Sequence, residues 1–276
     1  MSHFRVPLRR AVSGLVIAAA VCVALPARAV PSDNVLRGFL QTGDYVLLIN
    51  GKVDPKAEIY VNRNIPAYLI LPSAQSPVLI TPGAGKVETV QRIKVAKQPD
   101  GTVDLLADAV LSSQGKFSLA GERVDFSSEG KKLSLSPNPP LLGLKKAADL
   151  KAHTPEYVQA AKTYTPDATS LAALKKQGKP VRVLVFFGSW CPHCKEMLPH
   201  LLRVEDEIKG ARIQFDYHGI PKDFSDPEIR RLNISEVPTA LVYVNGQEIG
   251  RLTRNDWASP EIALSHLLSG PAKTGK

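Results

Sequence analysis

The sequence predicts two architectures in series: a mainly-β first part, then an α/β part built on a mixed central sheet flanked by helices. Three observations carry this. Short alternating segments, separated by glycine-containing turns, run from Val30 to about Pro140. A proline-rich break, "SPNPPLLG", follows. From about residue 169 the order becomes strand, helix, strand, helix, hairpin, helix, which is that of an α/β unit. At 276 residues, 44% hydrophobic and 22% charged, the chain can bury ordinary globular cores.

In the first part, "YVLLI" meets Asn50-Gly51, a hairpin turn signal. "AYLILP", "PVLITP" and "VETVQRIKVAK" follow as strands, and "PDG" at 99–101 turns the chain into "TVDLL". "KFSLAG", "RVDFSSEG" and "KLSLSP" complete a series expected to form a sandwich or barrel over residues 30–140. No metal or nucleophile constellation occurs in it. Its expected role is that of an adaptor, dimerisation or substrate-presenting module, which leaves a homodimer through this part open.

Residues 141–168 read as a partly helical connector, with Thr154 and Pro155 placed to start a helix. The α/β domain is expected over residues 169–270. Its first helix, in "TSLAALKKQGKP", is closed by Gly178 and Pro180, and "VRVLVFF" is a buried strand. From Cys191 to Lys209 the period is helical, with Cys194, Met197, Leu198, Leu201 and Ile208 on one face. "RIQFDYHGI" is a strand, "DPEIRRLNI" a short helix, and "TALVYVNGQEIGRLT" two strands about Asn245-Gly246. "SPEIALSHLLSG" is the last helix, and residues 271–276 are a flexible tail.

The start of the chain has the layout of a secretory signal over residues 1–29: Arg5, Arg9 and Arg10, an apolar run of 15 residues, then Ala27-Arg28-Ala29. The run is shorter than the ~20 residues a spanning helix needs, so cleavage and export, to a bacterial periplasm, are expected over an uncleaved membrane anchor. Losing its four arginines reduces the formal charge from +9 to +5. That mild bias, with no basic run interleaved with aromatics, argues against nucleic acid as a partner. Cys22 leaves with the signal, so the mature chain holds only Cys191 and Cys194. A disulfide closing so short a loop constrains little of the unfolded chain, and a structural staple is a weak reading.

The pair lies where a buried strand meets a helix, in Trp190-Cys191-Pro192-His193-Cys194-Lys195. The first turn of a helix offers free N–H groups and partial positive charge, which favour a thiolate on Cys191. Pro192 suits the first helical position. A protonated His193, with a smaller contribution from Lys195, adds positive charge beside the sulfur, and such settings depress a cysteine pKa. Cys194 falls on the inward face as a shielded, resolving thiol. The expected chemistry is attack by an exposed Cys191 on a disulfide, or the reverse, through a mixed disulfide.

On these residues the sequence resembles the thioredoxin superfamily over roughly 170–268. Pro199 is similar to the proline that kinks that family's active-site helix, and "EVPTALVYVNG" resembles the segment that begins at its cis-proline. The resemblance implies a thioredoxin-like fold, a cis Val237–Pro238 bond facing the dithiol, and strand-like docking of extended protein substrates there. It also implies protein partners carrying thiols or disulfides, a redox-partner protein, and no cofactor beyond the Cys191–Cys194 couple. One position departs: where the family carries a buried acid, six residues before the first cysteine, this chain has Val185. Proton transfer to Cys194 must then use water, another acid, or His193.

Other readings of these residues are weaker. Zinc needs four converging ligands, and neither a second CxxC nor a suitably placed histidine supplies them, so no metal is expected. His153, His200, His218 and His266 read as ordinary surface or helix residues, and Glu196, Glu205, Asp206 and Glu207 as a solvated helix face. Trp190 is expected as an exposed apolar wall of the substrate groove, while Trp257 is left between a loop lining and a packing role. The direction of electron flow stays open. Pro192-His193 and Val237 resemble the strong oxidases of the DsbA type, which slightly favours an oxidase or isomerase. The 43 residues between Cys194 and Pro238 leave no room for that type's helical insertion, and the compact domain resembles exported reductases of the TlpA and cytochrome c maturation type. A non-redox chaperone or assembly module using the same groove is the reading of another class.

Overall fold

A computed structural model describes residues 36–62 and 64–270. The expected signal segment and the C-terminal tail lie outside them. Among the described residues, no helix is long and apolar enough to cross a membrane.

Among the described residues the first part holds thirteen short strands: β1 (Phe39–Gln41), β2 (Tyr45–Ile49), β3 (Lys52–Val53), β4 (Glu58–Asn62), β5 (Ala67–Leu71), β6 (Val78–Thr81), β7 (Lys86–Thr89), β8 (Val95–Lys97), β9 (Val103–Leu105), β10 (Ser112–Gly115), β11 (Ser118–Ala120), β12 (Arg123–Ser128) and β13 (Lys131–Pro137). Eight form one sheet in the order β10-β7-β6-β5-β4-β1-β9-β8, and five a second in the order β11-β12-β13-β2-β3. Every pairing is antiparallel. Period-2 alternation sorts the side chains. Ile59, Ile70, Val78 and Ile80 face Leu47, Phe126, Leu133 and Leu135 of the second sheet, while Tyr60, Leu69 and Leu79 turn the other way to pack with Phe39, Val103 and Leu105. The larger sheet is therefore buried on both faces, and the two sheets form a sandwich around one of its cores. The hairpin turns lie where the glycines predict: Asn50 and Gly51 have φ of 51° and 79°, and Gly101 has φ 84°. "VETVQRIKVAK" is not one strand, because a 3₁₀ turn at Arg92–Lys94 divides it into β7 and β8.

The second part holds β14 (Gly143–Lys145), β15 (Val181–Phe187), β16 (Ile213–Gly219), β17 (Thr239–Val244) and β18 (Gln247–Leu252), in the order β14-β16-β15-β17-β18. Only β15 and β16 are parallel, so the sheet is mixed, as the element order predicts. Six helices accompany it: α1 (Ala147–His153), α2 (Glu156–Thr163), α3 (Ala168–Lys175), α4 (Pro192–Glu207), α5 (Pro227–Arg231) and α6 (Pro260–Ser269). The expected architecture, a mainly-β part followed by an α/β domain, is the one observed. Residues 141–168, read from the sequence as a connector, supply the edge strand β14 and two helices whose Leu150 and Tyr157 are 1% exposed in the same core as α4. The segment leading into that edge strand approaches β16 so closely that a Cβ on Gly219 would stand 1.9 Å from the Leu141 carbonyl oxygen.

The two parts also touch. The turn Thr42–Asp44 sits against the start of α2 and against α4. A Cβ on Gly43 would meet the His153 carbonyl oxygen at 2.5 Å, and Asn138 Nδ2 donates to the Gly43 carbonyl at 2.8 Å. Lys195 of α4 forms an ion pair with Asp44.

Candidate active site

Strand β15 ends at Phe187, and Gly188–Trp190 carries the chain into α4. Cys191 is the N-cap of that helix, with extended backbone (φ −84°, ψ 121°), and Pro192 occupies its first position. The Cys191 N–H donates to the Gly188 carbonyl at 3.0 Å, and Cys191 Sγ accepts from the Cys194 N–H at 3.5 Å. A helix start leaves such N–H groups without intrahelical partners, so a sulfur at the cap is held by the donors that best stabilise its anion.

The two thiols are thereby set apart. Cys191 is lowered from the ordinary 9.0 to about 6, chiefly by the hydrogen bond from the Cys194 thiol; the Cys194 and His193 N–H groups and the His193 charge add to it, against a smaller opposing effect of burial. Cys194 is pushed far above the ordinary thiol range, first by burial and then by its hydrogen bond to Cys191. Cys194 is fully buried, as expected. Cys191 is 9% exposed, so the expected open nucleophile is in fact recessed. Its Sγ lies 3.7 Å from the Val237 carbonyl oxygen, because the loop ahead of β17 is folded over the dithiol.

That loop has the expected form: the Val237–Pro238 bond is cis. Pro238 is buried and Val237 half-buried. Thr239 Oγ1 donates to the Glu236 carbonyl at 2.8 Å, closing the turn across the proline. Trp190 is less open than a groove wall was expected to be. It is half-buried, its Nε1 donates to the Ile220 carbonyl at 3.0 Å, and its ring meets Phe224 edge-on at 6.1 Å. Gly188 permits this, since a Cβ there would meet the indole at 2.5 Å. Leu141 N–H donates to Ser189 Oγ at 2.9 Å, tying the segment before β14 to the same corner. Cys191, Cys194, Trp190 and Val237 thus come together around the start of α4. His193 stands outside, half exposed, 3.9 Å from Glu196. Lys195 faces Asp44 rather than the sulfur.

Of the two roles open to Trp257 the structure shows packing, since it is fully buried core. Other secondary expectations need correction. His200 is stacked on Tyr164 at 4.0 Å and its Nδ1 lies 3.2 Å from the Trp257 carbonyl, while His218 Nε2 is 2.8 Å from Asp226; neither is a plain surface residue. Glu205 leaves the solvated face, because it accepts the hydroxyl of the buried Tyr217 at 2.7 Å. Val185 is fully buried and brings no proton acceptor beneath Cys194. Two residues missed in the sequence lie nearby instead: Tyr157, packed in the cluster that holds both cysteines, and Glu156, whose carboxylate accepts the Gly43 N–H at 2.8 Å. Nothing local in "TPEYVQ" marks either, since the contacts that matter come from residues 34 or more positions away.

The second part of the chain is similar to known proteins. The thioredoxin family model matches residues 167–259, all of them beyond the β-sandwich. A thioredoxin of Mycoplasmopsis pulmonis is 30% identical over 83 residues, covering 28% of this chain and 73% of that protein. Protein disulfide-isomerase A5 of Mus musculus is 24% identical over 74 residues, and the chain spans only 14% of its length. The oxidized thioredoxin O2 of Arabidopsis thaliana aligns with 37% of this chain and 85% of its own, at 20% identity and a TM-score of 0.28. Through the C-terminal domain that carries Cys191 and Cys194, this chain belongs to the thioredoxin family of redox proteins.

Proposed function

We propose that the protein is an exported thiol–disulfide oxidoreductase acting on protein substrates. The observation that carries this reading is the placement of the two thiols, with Cys191 Sγ at the start of α4 accepting the Cys194 N–H at 3.5 Å and Cys194 fully buried behind it. In the reducing direction, the Cys191 thiolate attacks a substrate disulfide, forming one S–S bond as another breaks and releasing a substrate thiolate. Cys194, once deprotonated, attacks Cys191 Sγ; the substrate's second sulfur leaves with its electron pair, and the dithiol has given up two electrons. In the oxidising direction the same bonds exchange in reverse. Substrates dock in extended form along Val237-Pro238 with Trp190 beside them. A second protein resets the couple, and no further cofactor is required. Residues 1–29 direct the chain to a bacterial periplasm.

An oxidase or isomerase is favoured, because stabilising the Cys191 thiolate stabilises the reduced form and makes the disulfide more oxidising. The reductase reading rests on a different observation: only β16 and the five-residue α5 separate α4 from β17, giving a compact domain. Equilibration of the purified protein with glutathione decides between them. A potential near ~−120 mV supports an oxidase, and one near or below ~−270 mV a reductase. Activity that survives in both Cys191→Ala and Cys194→Ala would overturn the redox reading and leave a binding module.

A further inference from the structure

The β-sandwich holds a cavity that the dithiol chemistry does not use. Its volume is about 600 Å³. Tyr68, Ile80 and Pro82 line it from the side of the larger sheet, and Leu119, Val124 and Leu135 from the smaller one. The inner faces of a sandwich ordinarily interdigitate, and here they part. An opening of that size, walled mainly by apolar and aromatic side chains, has the dimensions of a ligand site.

Its walls favour one kind of occupant. Strand β11 ends its sheet and pairs only with β12 among the described residues, and its Leu119 is 69% exposed. An unpaired strand edge is a template for an added strand, alternate side chains of which face the cavity. Tyr45 and Tyr68 meet edge-on at 5.7 Å in the wall, an aromatic surface suited to an apolar side chain. Of the two carboxylates at the cavity, Asp44 is neutralised by Lys195. Glu122 is exposed and has no ion-pair partner among the described residues. The rim therefore carries one uncompensated negative charge, which attracts a cation and repels an anion.

The same cavity adjoins the helix that carries the dithiol. Asp44 joins it to Lys195, the residue after Cys194, and Cys191 is one turn back along α4, about 6 Å. We propose that this cavity and the β11 edge are a second docking site for protein substrates, taking an extended segment with a large apolar side chain beside a lysine or arginine while the substrate's sulfur reaches Cys191. This docking rests on the dithiol being a working one. It narrows the substrates to unfolded chains, because a folded partner's strands are already paired. A segment held here keeps a neighbouring cysteine at high effective concentration near Cys191, even where each contact alone is weak.

Peptides joined through one cysteine to a coloured aryl thiol test this with the reduced full chain. The dithiol becomes a disulfide as the peptide–aryl disulfide becomes a peptide thiol and an aryl thiolate; two electrons pass and one proton goes to solvent. One peptide carries Val-Phe-Val-Lys ahead of its cysteine, and a control carries Ser-Gly-Ser-Lys. Gly/Ser spacers of about 4 to 12 residues between segment and cysteine span roughly 10–20 Å. At the best spacer the apolar peptide should react at least about tenfold faster than the control, the contribution of burying one large apolar side chain.

That ratio is the readout, and it cancels any change at the dithiol itself. Leu119→Lys should bring it below about threefold. Exchanging the peptide's lysine for glutamate should slow the reaction by about two- to fivefold in the unsubstituted protein and speed it in Glu122→Lys. Both substituted residues are exposed, so the fold tolerates the changes. A ratio within about twofold of unity at every spacer length would overturn the docking site. So would a ratio that Leu119→Lys leaves unchanged, because the preference would then arise elsewhere. A dimer that Leu119→Lys dissociates would give the surface to a second copy of the chain and equally overturn it. No aryl thiolate from any peptide would instead overturn the working dithiol.

Discussion

Replacing Cys194 with alanine isolates the interaction that does most to activate Cys191. With a pKa of about 6 against the ordinary 9.0, reduced Cys191 should be roughly nine-tenths thiolate at neutral pH, where an unperturbed thiol would be about 1%. The largest single cause is the Cys194 thiol hydrogen bond, so in Cys194→Ala the midpoint should move up toward 9.0. It should stop short of that value, because the Cys194 and His193 N–H groups remain at the helix start. Titration of thiolate ultraviolet absorbance is the preferred measurement. Alkylation rates understate the effect, since intrinsic nucleophilicity rises with pKa (Brønsted slope about 0.5). The same shift sets a stability trend. A thiol whose pKa is lower in the folded than in the unfolded chain contributes stability above the unfolded pKa and loses it as pH falls through the folded one. The reduced protein should therefore gain stability over the oxidised protein as pH rises from about 6 to 9.0. A wild-type midpoint near 9.0, or one unmoved in Cys194→Ala, would refute the reasoning.

Two further outcomes follow from packing and charge. Gly219→Ala places a Cβ 1.9 Å from the Leu141 carbonyl oxygen, a backbone atom that cannot swing aside, and should cost about 2–3 kcal/mol in a denaturant titration; an unchanged midpoint would show that β14 shifts freely. Asp216 is 4% exposed; burial alone would raise its pKa, but hydrogen bonds from Lys146 and Arg182 outweigh that and hold it below the ordinary carboxylate range. Its contribution is present above the unfolded pKa and is lost as pH falls below about 4. Asp216→Asn should lower stability at neutral pH by about 1–2 kcal/mol, since both cations are half exposed, and should flatten the acid limb of the stability curve. An acid limb of unchanged slope would assign the loss elsewhere.

What the sequence showed was whatever depends on near neighbours. Asn50-Gly51 and Asn245-Gly246 dictate their turns through local backbone preference, and all four residues have positive φ. Cys191, Pro192 and Cys194 occupy one helix start, a placement that the buried strand before them and the helical period after them predict. β14 is three residues long and paired along one edge only, which leaves no period to read. Glu156 depends on an N–H from Gly43, 113 residues earlier, and Tyr157 on a helix that begins 35 residues later. The recess of Cys191 has the same origin, because its cover comes from Val237.

The contribution of β14, α1 and α2 to the second core sets where the chain may be cut. The family match begins at residue 167, and a fragment started there would discard Leu150 and Tyr157 from the packing behind Cys194 and strip β16 of its outer partner. Such a fragment would keep every residue of the CxxC segment yet present a new unpaired strand edge and an open apolar surface to solvent, the conditions for aggregation. A minimal redox fragment should instead begin ahead of Leu141, whose N–H anchors Ser189 beside the dithiol.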